Sequence, residues 1–425
     1  MQIELIYCDK FLHKLKGITL GFIFTVVVAK IQGYPRYLCF LFIYMKIKGL
    51  LKLLSAFIIS IAWNNSAQAG SINSGLGPLE IRPQFIVSQP FLAMTPENSS
   101  TLKGGESKLS VGIEIANTFV NTQGPTEQIT KKEVARGLTK EDFYDKNGDA
   151  GKGYSLYLDA ETKRKNLKYN YGISDSLEFK LEIPFLSFDG GFMDSSIESV
   201  HSLIGISNFK QGGAYRALSE RNKYDYYVVK DGEFVYASNQ IIYNVRGEPS
   251  MGLKWNLSEG GNVMPAATLK LSYKFANSDR SGEQKLVRSG GVDWGHYLIL
   301  SKGFDKWIVY FGDGKTRIGE NLGFASSLSH QFMSLEYRIE EEVSFVFQSV
   351  SQSSIFQETA ASPRSTSGEN QEQRNSNLSV STSVSAFGYK FVSGPIFWET
   401  GFVQDYNNFG NETDFVLFWE MGVHW

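Results

Sequence analysis

The chain has 425 residues, 14 % of them aromatic, with only 11 prolines and a formal net charge of -2. That balance excludes a disordered chain and a nucleic-acid binder that needs a basic surface. The length admits two or three ordinary domains or one large all-β barrel. Both cysteines, Cys8 and Cys39, fall in the first tenth, so the body has no thiol for disulfides, thiolate metal sites or cysteine nucleophiles.

Residues 1–44 contain the apolar stretch GITLGFIFTVVVA, shorter than the ~20 apolar residues of a membrane-crossing helix. They read as a translation start set too far upstream of Met45, with an N-terminal membrane anchor over Gly17 to Ala29 as the alternative. Residues 45–69 read as a secretory signal peptide. Lys46, Lys48 and Lys52 form its basic start, Leu53 to Trp63 its apolar core, and Ala67-Gln68-Ala69 its cleavage site. Residues 70–106 follow as an N-terminal periplasmic or plug-like segment, and 107–425 as an outer-membrane barrel.

The barrel expectation rests on alternation. In SLEFKLEIPFLSF the odd positions Leu177, Phe179, Leu181, Ile183 and Phe185 are apolar, with Glu178, Lys180 and Glu182 between them. AATLKLSYKFA and KLSVGIEIANTF repeat the pattern. Short turns near 173–176, 257–262, 302–306, 339–342 and 392–395 alternate with long polar connections, the rhythm of an outer-membrane barrel with short periplasmic turns. Strands are expected over 107–121, 153–172, 176–188, 249–257, 262–277, 292–302, 305–312, 321–339, 342–356, 377–392, 395–406 and 414–425, which makes 12. Two places are soft. Apolar parity slips between Leu158 and Leu167, and EFVYASNQIIY (233–243) reads as an extra hairpin that would raise the count to 14.

Trp255, Trp307, Trp398 and Trp425 fall near the short turns or the carboxyl terminus, as an aromatic girdle at a membrane interface would. Ordinary core packing is the competing reading. The last strand has Phe415, Leu417, Trp419, Met421, Val423 and Trp425 at every second place. It resembles the carboxyl-terminal signal by which bacterial outer-membrane barrels are delivered for insertion. The resemblance implies as partners the barrel-insertion machinery, periplasmic chaperones and outer-membrane lipid or lipopolysaccharide.

Chemistry is sparse. His13, His201, His296, His330 and His424 form no familiar metal pair, and no local Ser-His signature of a hydrolase is present. DKNGDAGKG opens like a calcium loop with Asp145, Asn147 and Asp149, but Ala150 and Leu156 replace its glycine and its bidentate glutamate, which favours a polar turn. The acidic run Glu340 to Glu342 reads as a solvated turn. GGFMDSSIESVHSLIGIS is the one helix-like segment. Inside a barrel it would set Asp194, Glu198 and His201 against Lys163, Arg164 and Lys165 as a constriction; otherwise it packs over the barrel mouth. No cofactor is called for.

GPLEIRPQF, LDAETKRKNLKYNYGISDSLEFKLEIPF, the GGFMDSS segment and SGGVD together resemble an uncharacterised family of proteobacterial outer-membrane barrels catalogued as a domain of unknown function. The likeness is clearest from about 77 to 206, with Pro83 a departure where Asn is expected after Arg82. It implies fold and location but carries no catalytic residues. The resulting expectation is a 12-stranded outer-membrane barrel acting as a passive channel for small molecules. Alternatives are a closed structural or surface-binding barrel, with 357–376 as its contact loop, and a lipid-directed enzyme.

Overall fold

The computed structural model describes residues 24–30, 37–43, 75–121, 131–144, 153–195, 222–356, 378–405 and 413–425. The chain divides into Met1–Gln68 and Ala69–Trp425. In the first unit β1 (Phe24–Lys30) pairs antiparallel with β2 (Tyr37–Ile43). A β-branched, aromatic run suits such pairing, and it places a strand over part of the stretch for which the anchor reading needs a helix. The signal-peptide core lies outside the described residues.

The second unit is built from β3 (Ser107–Asn121), β4 (Tyr154–Ser174), β5 (Leu177–Asp189), β6 (Asp225–Lys230), β7 (Glu233–Ser238), β8 (Ile242–Arg246), β9 (Ser250–Ser258), β10 (Ala266–Lys274), β11 (Asp293–Phe304), β12 (Trp307–Arg317), β13 (Ser327–Glu340), β14 (Val343–Gln352), β15 (Thr382–Ser393), β16 (Ile396–Asp405) and β17 (Phe415–His424). Strands β9 to β17 pair in sequence, β17 returns to β3, and β3, β4, β5 and β9 complete the ring. The result is a closed antiparallel barrel of 12 strands. Closure removes every edge that would leave backbone groups unpaired in lipid.

The additional hairpin does not enter that ring. Strand β7 pairs with β6, β6 pairs with Tyr154–Asp159 of β4, and β8 pairs with Phe185–Phe188 of β5. All three extend the wall at the long-loop end, so the count remains 12 rather than 14. Below β8, residues 247–249 oppose 183–184 before β9 resumes the pairing at Ser250. Pro184 has no N–H to give to a ladder and is accommodated at this irregularity.

Inward and outward positions alternate along the ring. On β11 and β12 the outward Leu298 and Phe311 are about 40 % exposed, while the inward Tyr297, Ile299, Ile308 and Tyr310 are fully buried. Leu109, Val111, Leu253, Leu271 and Leu417 extend the exposed apolar belt, which lipid covers in a membrane barrel. Strand β12 runs past the expected end at 312 because Gly312 and Gly314 are not turn residues. A Cβ at Gly312 would meet the Phe332 ring at 2.1 Å, and one at Gly314 would meet the His296 carbonyl at 2.2 Å.

The parity slip in β4 has no register shift behind it. Pairing with β3 is continuous from Ser107↔Tyr171 to Asn121↔Tyr157. What changes is the chemistry of the interior. Inward Lys168, Asn166 and Arg164 give way above Thr162 to inward Leu158, Leu156 and Tyr154, which join an apolar cluster with Phe85, Phe91, Phe188, Phe324 and Phe356. Outside, Tyr157 packs with Val134, Leu138 and Phe143 of the 131–144 segment, which contains the short helix α1 (Lys131–Arg136). Both faces are therefore covered there, and alternation ceases to be visible in sequence.

Candidate functional site

Residues 75–101 occupy the interior of the barrel. The segment enters at the short-turn end, where the Leu76 and Gly77 amides donate to Glu336 of β13 at 2.8 and 3.0 Å. Next, the Leu79 amide donates to Gln348 of β14 at 3.0 Å, and the Gln348 amide returns a bond to the Leu79 carbonyl. Leu79 fits beside Gly388, where a Cβ would lie 3.0 Å from its side chain. Gly388 and Gly401 are cross-strand neighbours, and their missing side chains also make room for the Phe418 ring.

The segment turns at the long-loop end. A single 3-10 turn, Ile86–Ser88, forms the apex, and Arg82 Nη2 ties the two legs by donating to the Ser88 carbonyl at 3.1 Å and the Phe91 carbonyl at 3.2 Å. Phe85 and Phe91 meet Phe356 and Phe324 edge-on, both at 6.1 Å. The descending leg is held by the Leu92 amide on Asp293 Oδ2 at 2.9 Å, by Ser99 against Ser301 and Thr268, and by the Leu102 amide on Glu178 at 2.9 Å. It leaves at the short-turn end, where Thr101 donates to the Asp175 carbonyl at 2.7 Å, and the chain then enters β3.

Two carboxylates of this segment face the wall. Glu97 Oε1 accepts from Lys180 Nζ at 2.7 Å and from Lys270 Nζ at 2.5 Å. Glu80 Oε2 accepts from Lys180 at 3.0 Å and lies 3.4 Å from Lys168; its other oxygen lies 3.4 Å from Lys108. Other wall charges pair within the wall: Lys168 with Glu420 at 2.5 Å, Arg164 with Glu182 at 3.0 Å, Lys390 with Glu399 at 3.0 Å and Lys254 with Glu178 at 3.7 Å. At the upper rim Lys274 pairs with Glu248 and, at 3.4 Å, with Asp293. Beside the segment lie two cavities of about 20 and 30 Å³, one near Thr382 and Val416, the other near Pro184 and Lys274. Each has room for roughly one or two waters.

Among the described residues, Lys163, Arg164, Lys165 and Asp194 do not come together as a constriction. Alternation puts Arg164 inside, on Glu182 and Gln89, and sends Lys163 and Lys165 outside. Lys163 pairs there with Asp189 at 2.8 Å and Glu161 at 3.3 Å, and Lys165 reaches Asn244 at 3.4 Å. Three consecutive basic residues on a strand cannot share one face. Asp194 is buried, accepting from Asn117 Nδ2 and the Asn222 amide, both at 3.0 Å. Glu198, His201 and the calcium-like Asp145, Asn147 and Asp149 lie outside the described residues, as does the loop 357–376.

Trp255, Trp307, Trp398 and Trp425 are all exposed on the outer face at the short-turn end. On β17 the odd residues from Phe415 to Trp425 face outward, while Val416, Phe418, Glu420 and Gly422 are buried inside. His330 is buried and within 3.0 Å of the Thr316 hydroxyl; His296 is exposed outside. Glu340 to Glu342 form the exposed turn between β13 and β14. Among the described residues no cluster of three His, Cys, Asp or Glu could hold a metal.

A closed barrel with an apolar outer belt and an interior that is charged on one side is a membrane-spanning β-barrel, here with a segment of its own chain in the lumen. The chain belongs to the family described as "Protein of unknown function (DUF3187)", whose model matches residues 150–425. The match begins well after position 77, where the sequence resemblance starts. No curated protein matches the chain in sequence. Among solved structures it is similar to an outer membrane channel from Pseudomonas putida F1, at 10 % identity and a TM-score of 0.43, covering 78 % of this chain and 100 % of that one. LpxR from Salmonella typhimurium gives 8 % identity and 0.32, covering 74 % and 99 %. The toluene transporter TodX from Pseudomonas putida gives 9 % and 0.29, covering 85 % and 98 %. Identities this low say nothing about chemistry.

Proposed function

We propose that the protein is a passive outer-membrane channel for small molecules, closed at rest by residues 75–101. The observation that carries this reading is how that segment is held. Below its apex Leu79, Ile81 and Met94 pack on an apolar side of the wall, and hydrogen bonds and ion pairs to wall side chains hold the rest, from Glu336 at one end to Glu178 at the other. Burying an ion pair returns little net stability, because desolvation offsets most of the attraction, so charged docking suits a segment that leaves its seat. When the segment is gone one side of the wall beneath is polar, with Ser110, Glu114, Arg164, Lys168, Lys180 and Lys270 pointing into the lumen, and the side that carries Ile299, Ile308 and Val346 is apolar. The carboxylates and buried lysines of the polar side suit water and hydrophilic solutes.

Single-channel recording in a planar bilayer tests this. The full chain is expected to give rare or small steps, and a variant with residues 79–99 replaced by a Gly-Ser linker of equal length frequent larger ones. A folded, heat-modifiable barrel that conducts in neither form would refute the channel and leave a closed structural or surface-binding barrel.

A further inference from the structure

Three wall lysines differ from the rest. Lys168, Lys254, Lys390 and Arg164 each keep a glutamate of the wall when residues 75–101 are taken away. Among the described residues the ion-pair partners of Lys180, Lys270 and Lys108 are Glu80 and Glu97 alone. They come from β5, β10 and β3, and their ammonium groups converge on the lower lumen. All three pair inside the barrel with carboxylates that do not belong to its wall. An unpaired buried ammonium is costly, so when the segment withdraws these lysines require another anion or water in its place.

The two carboxylates also have a defined spacing. Lys180 Nζ lies 3.0 Å from Glu80 Oε2 and 2.7 Å from Glu97 Oε1, so one ammonium bridges both. Glu80 comes from the ascending leg and Glu97 from the descending leg, and the bridge brings together two groups 17 positions apart in the chain. Lys108 and Lys168 flank the first carboxylate, and Lys270 the second. We propose that this cluster is a binding site for a small dicarboxylate, and that Glu80 and Glu97 occupy it in the closed state as the chain's own surrogate for that ligand. A ligand with two carboxylates on a short carbon chain satisfies the same ammonium groups, so it competes directly with the segment. Monocarboxylates satisfy one half and leave the other lysines unpaired. The proposal rests on the channel reading only for what the binding does; the site itself is independent of conduction.

Succinate is the probe, measured by calorimetry on the full chain folded in detergent. The E80Q/E97Q variant is expected to bind it at least about tenfold more tightly than the parent, which must first displace its own carboxylates, and adding K180Q is expected to return binding to the parental level. Propionate should bind E80Q/E97Q at least about tenfold more weakly than succinate. Equal succinate affinity in parent and E80Q/E97Q would overturn the proposal, as would inorganic phosphate binding as tightly as succinate, which marks a general anion site. Should E80Q/E97Q fail to fold, the unmodified lumen answers instead. With Cys8 and Cys39 changed to Ser and Ala93→Cys as the only thiol, succinate should accelerate maleimide labelling at position 93, while propionate at equal ionic strength should not. No acceleration by succinate overturns the site. Succinate binding in a barrel that never conducts would sink the channel and keep the site; conduction by the linker variant with no succinate effect would do the reverse.

Discussion

Phe91→Ala isolates the segment from the barrel that holds it. Phe91 is 1 % exposed at the apex, edge-on to Phe324 at 6.1 Å, and shares an apolar cluster with Phe85, Leu286 and Val287. Truncating a buried phenylalanine costs about 3–5 kcal/mol through lost transfer energy and the cavity left behind. None of the strand-to-strand ladder bonds involves residue 91, so the loss falls on docking of residues 75–101 rather than on the ring. At about 1.4 kcal/mol per factor of ten, undocking becomes roughly two to three and a half powers of ten more frequent. Amide hydrogen exchange reads this directly. The Leu79 amide, bonded to Gln348, and the Leu92 amide, bonded to Asp293, should accelerate by that factor, while the wall amide of Leu298 in β11 should not change. Equal acceleration at Leu298 would show that segment and wall open as one unit, and the argument for a separately mobile plug would fail.

Three further outcomes follow from the same structure. Glu97→Gln leaves Lys270 with no carboxylate partner among the described residues and should cost about 3–5 kcal/mol, whereas E97Q/K270M, which removes the stranded ammonium as well, should recover most of it; urea unfolding in lipid vesicles, followed by tryptophan emission, distinguishes these. Leu271→Arg should cost about 2–4 kcal/mol in the same assay, because Leu271 is 51 % exposed on the outer face of β10; a change within about 0.5 kcal/mol would mean that water, not lipid, covers it. At the rim, burial pushes the Asp225 carboxyl up to about 6 against the opposing pull of Lys223. A folded value raised above 3.8 means that stability is greatest below pH 3.8 and falls as pH rises through 6. Asp225→Asn should therefore protect the β6–β7 hairpin from hydrogen exchange at neutral pH and lose that advantage below pH 3.8; protection that is independent of pH would contradict the assignment.

The wall was readable because its period is short and its two sides meet different solvents. Leu177, Phe179 and Leu181 face lipid and Glu178, Lys180 and Glu182 face the lumen, so a single residue of slippage would invert both. Where the two sides stop differing, the pattern fades: around Leu156 to Thr162 a rim cluster covers the inside and the 131–144 segment the outside, and a continuous strand then resembles a break. Basic neighbours misled for the converse reason. Lys163, Arg164 and Lys165 are adjacent in sequence, yet adjacency on a strand guarantees opposite faces.

The sequence offered residues 70–106 as a periplasmic or plug-like segment, but how 75–101 is seated in the lumen lay beyond such reasoning. GPLEIRPQF has no period, because residues 75–101 form no ladder and take their order from side chains elsewhere: Glu97 meets Lys270 across 173 positions, and Leu79 meets Gln348 across 269. The pertinent signal was an imbalance that only the closed ring exposes. Once the wall pairs with itself, Lys168 with Glu420 and Lys390 with Glu399, three lysines remain, and the segment that fills the lumen carries the two carboxylates that meet them. A filler selected for stability alone would be apolar at Glu80 and Glu97 too, as it is at Leu79, Ile81 and Met94, since buried ion pairs are often less stabilising than well-packed hydrophobic replacements. Charges placed at both faces of a contact that crosses no ladder bond are what a seat needs if its occupant is to be exchanged for a solute of the same charge.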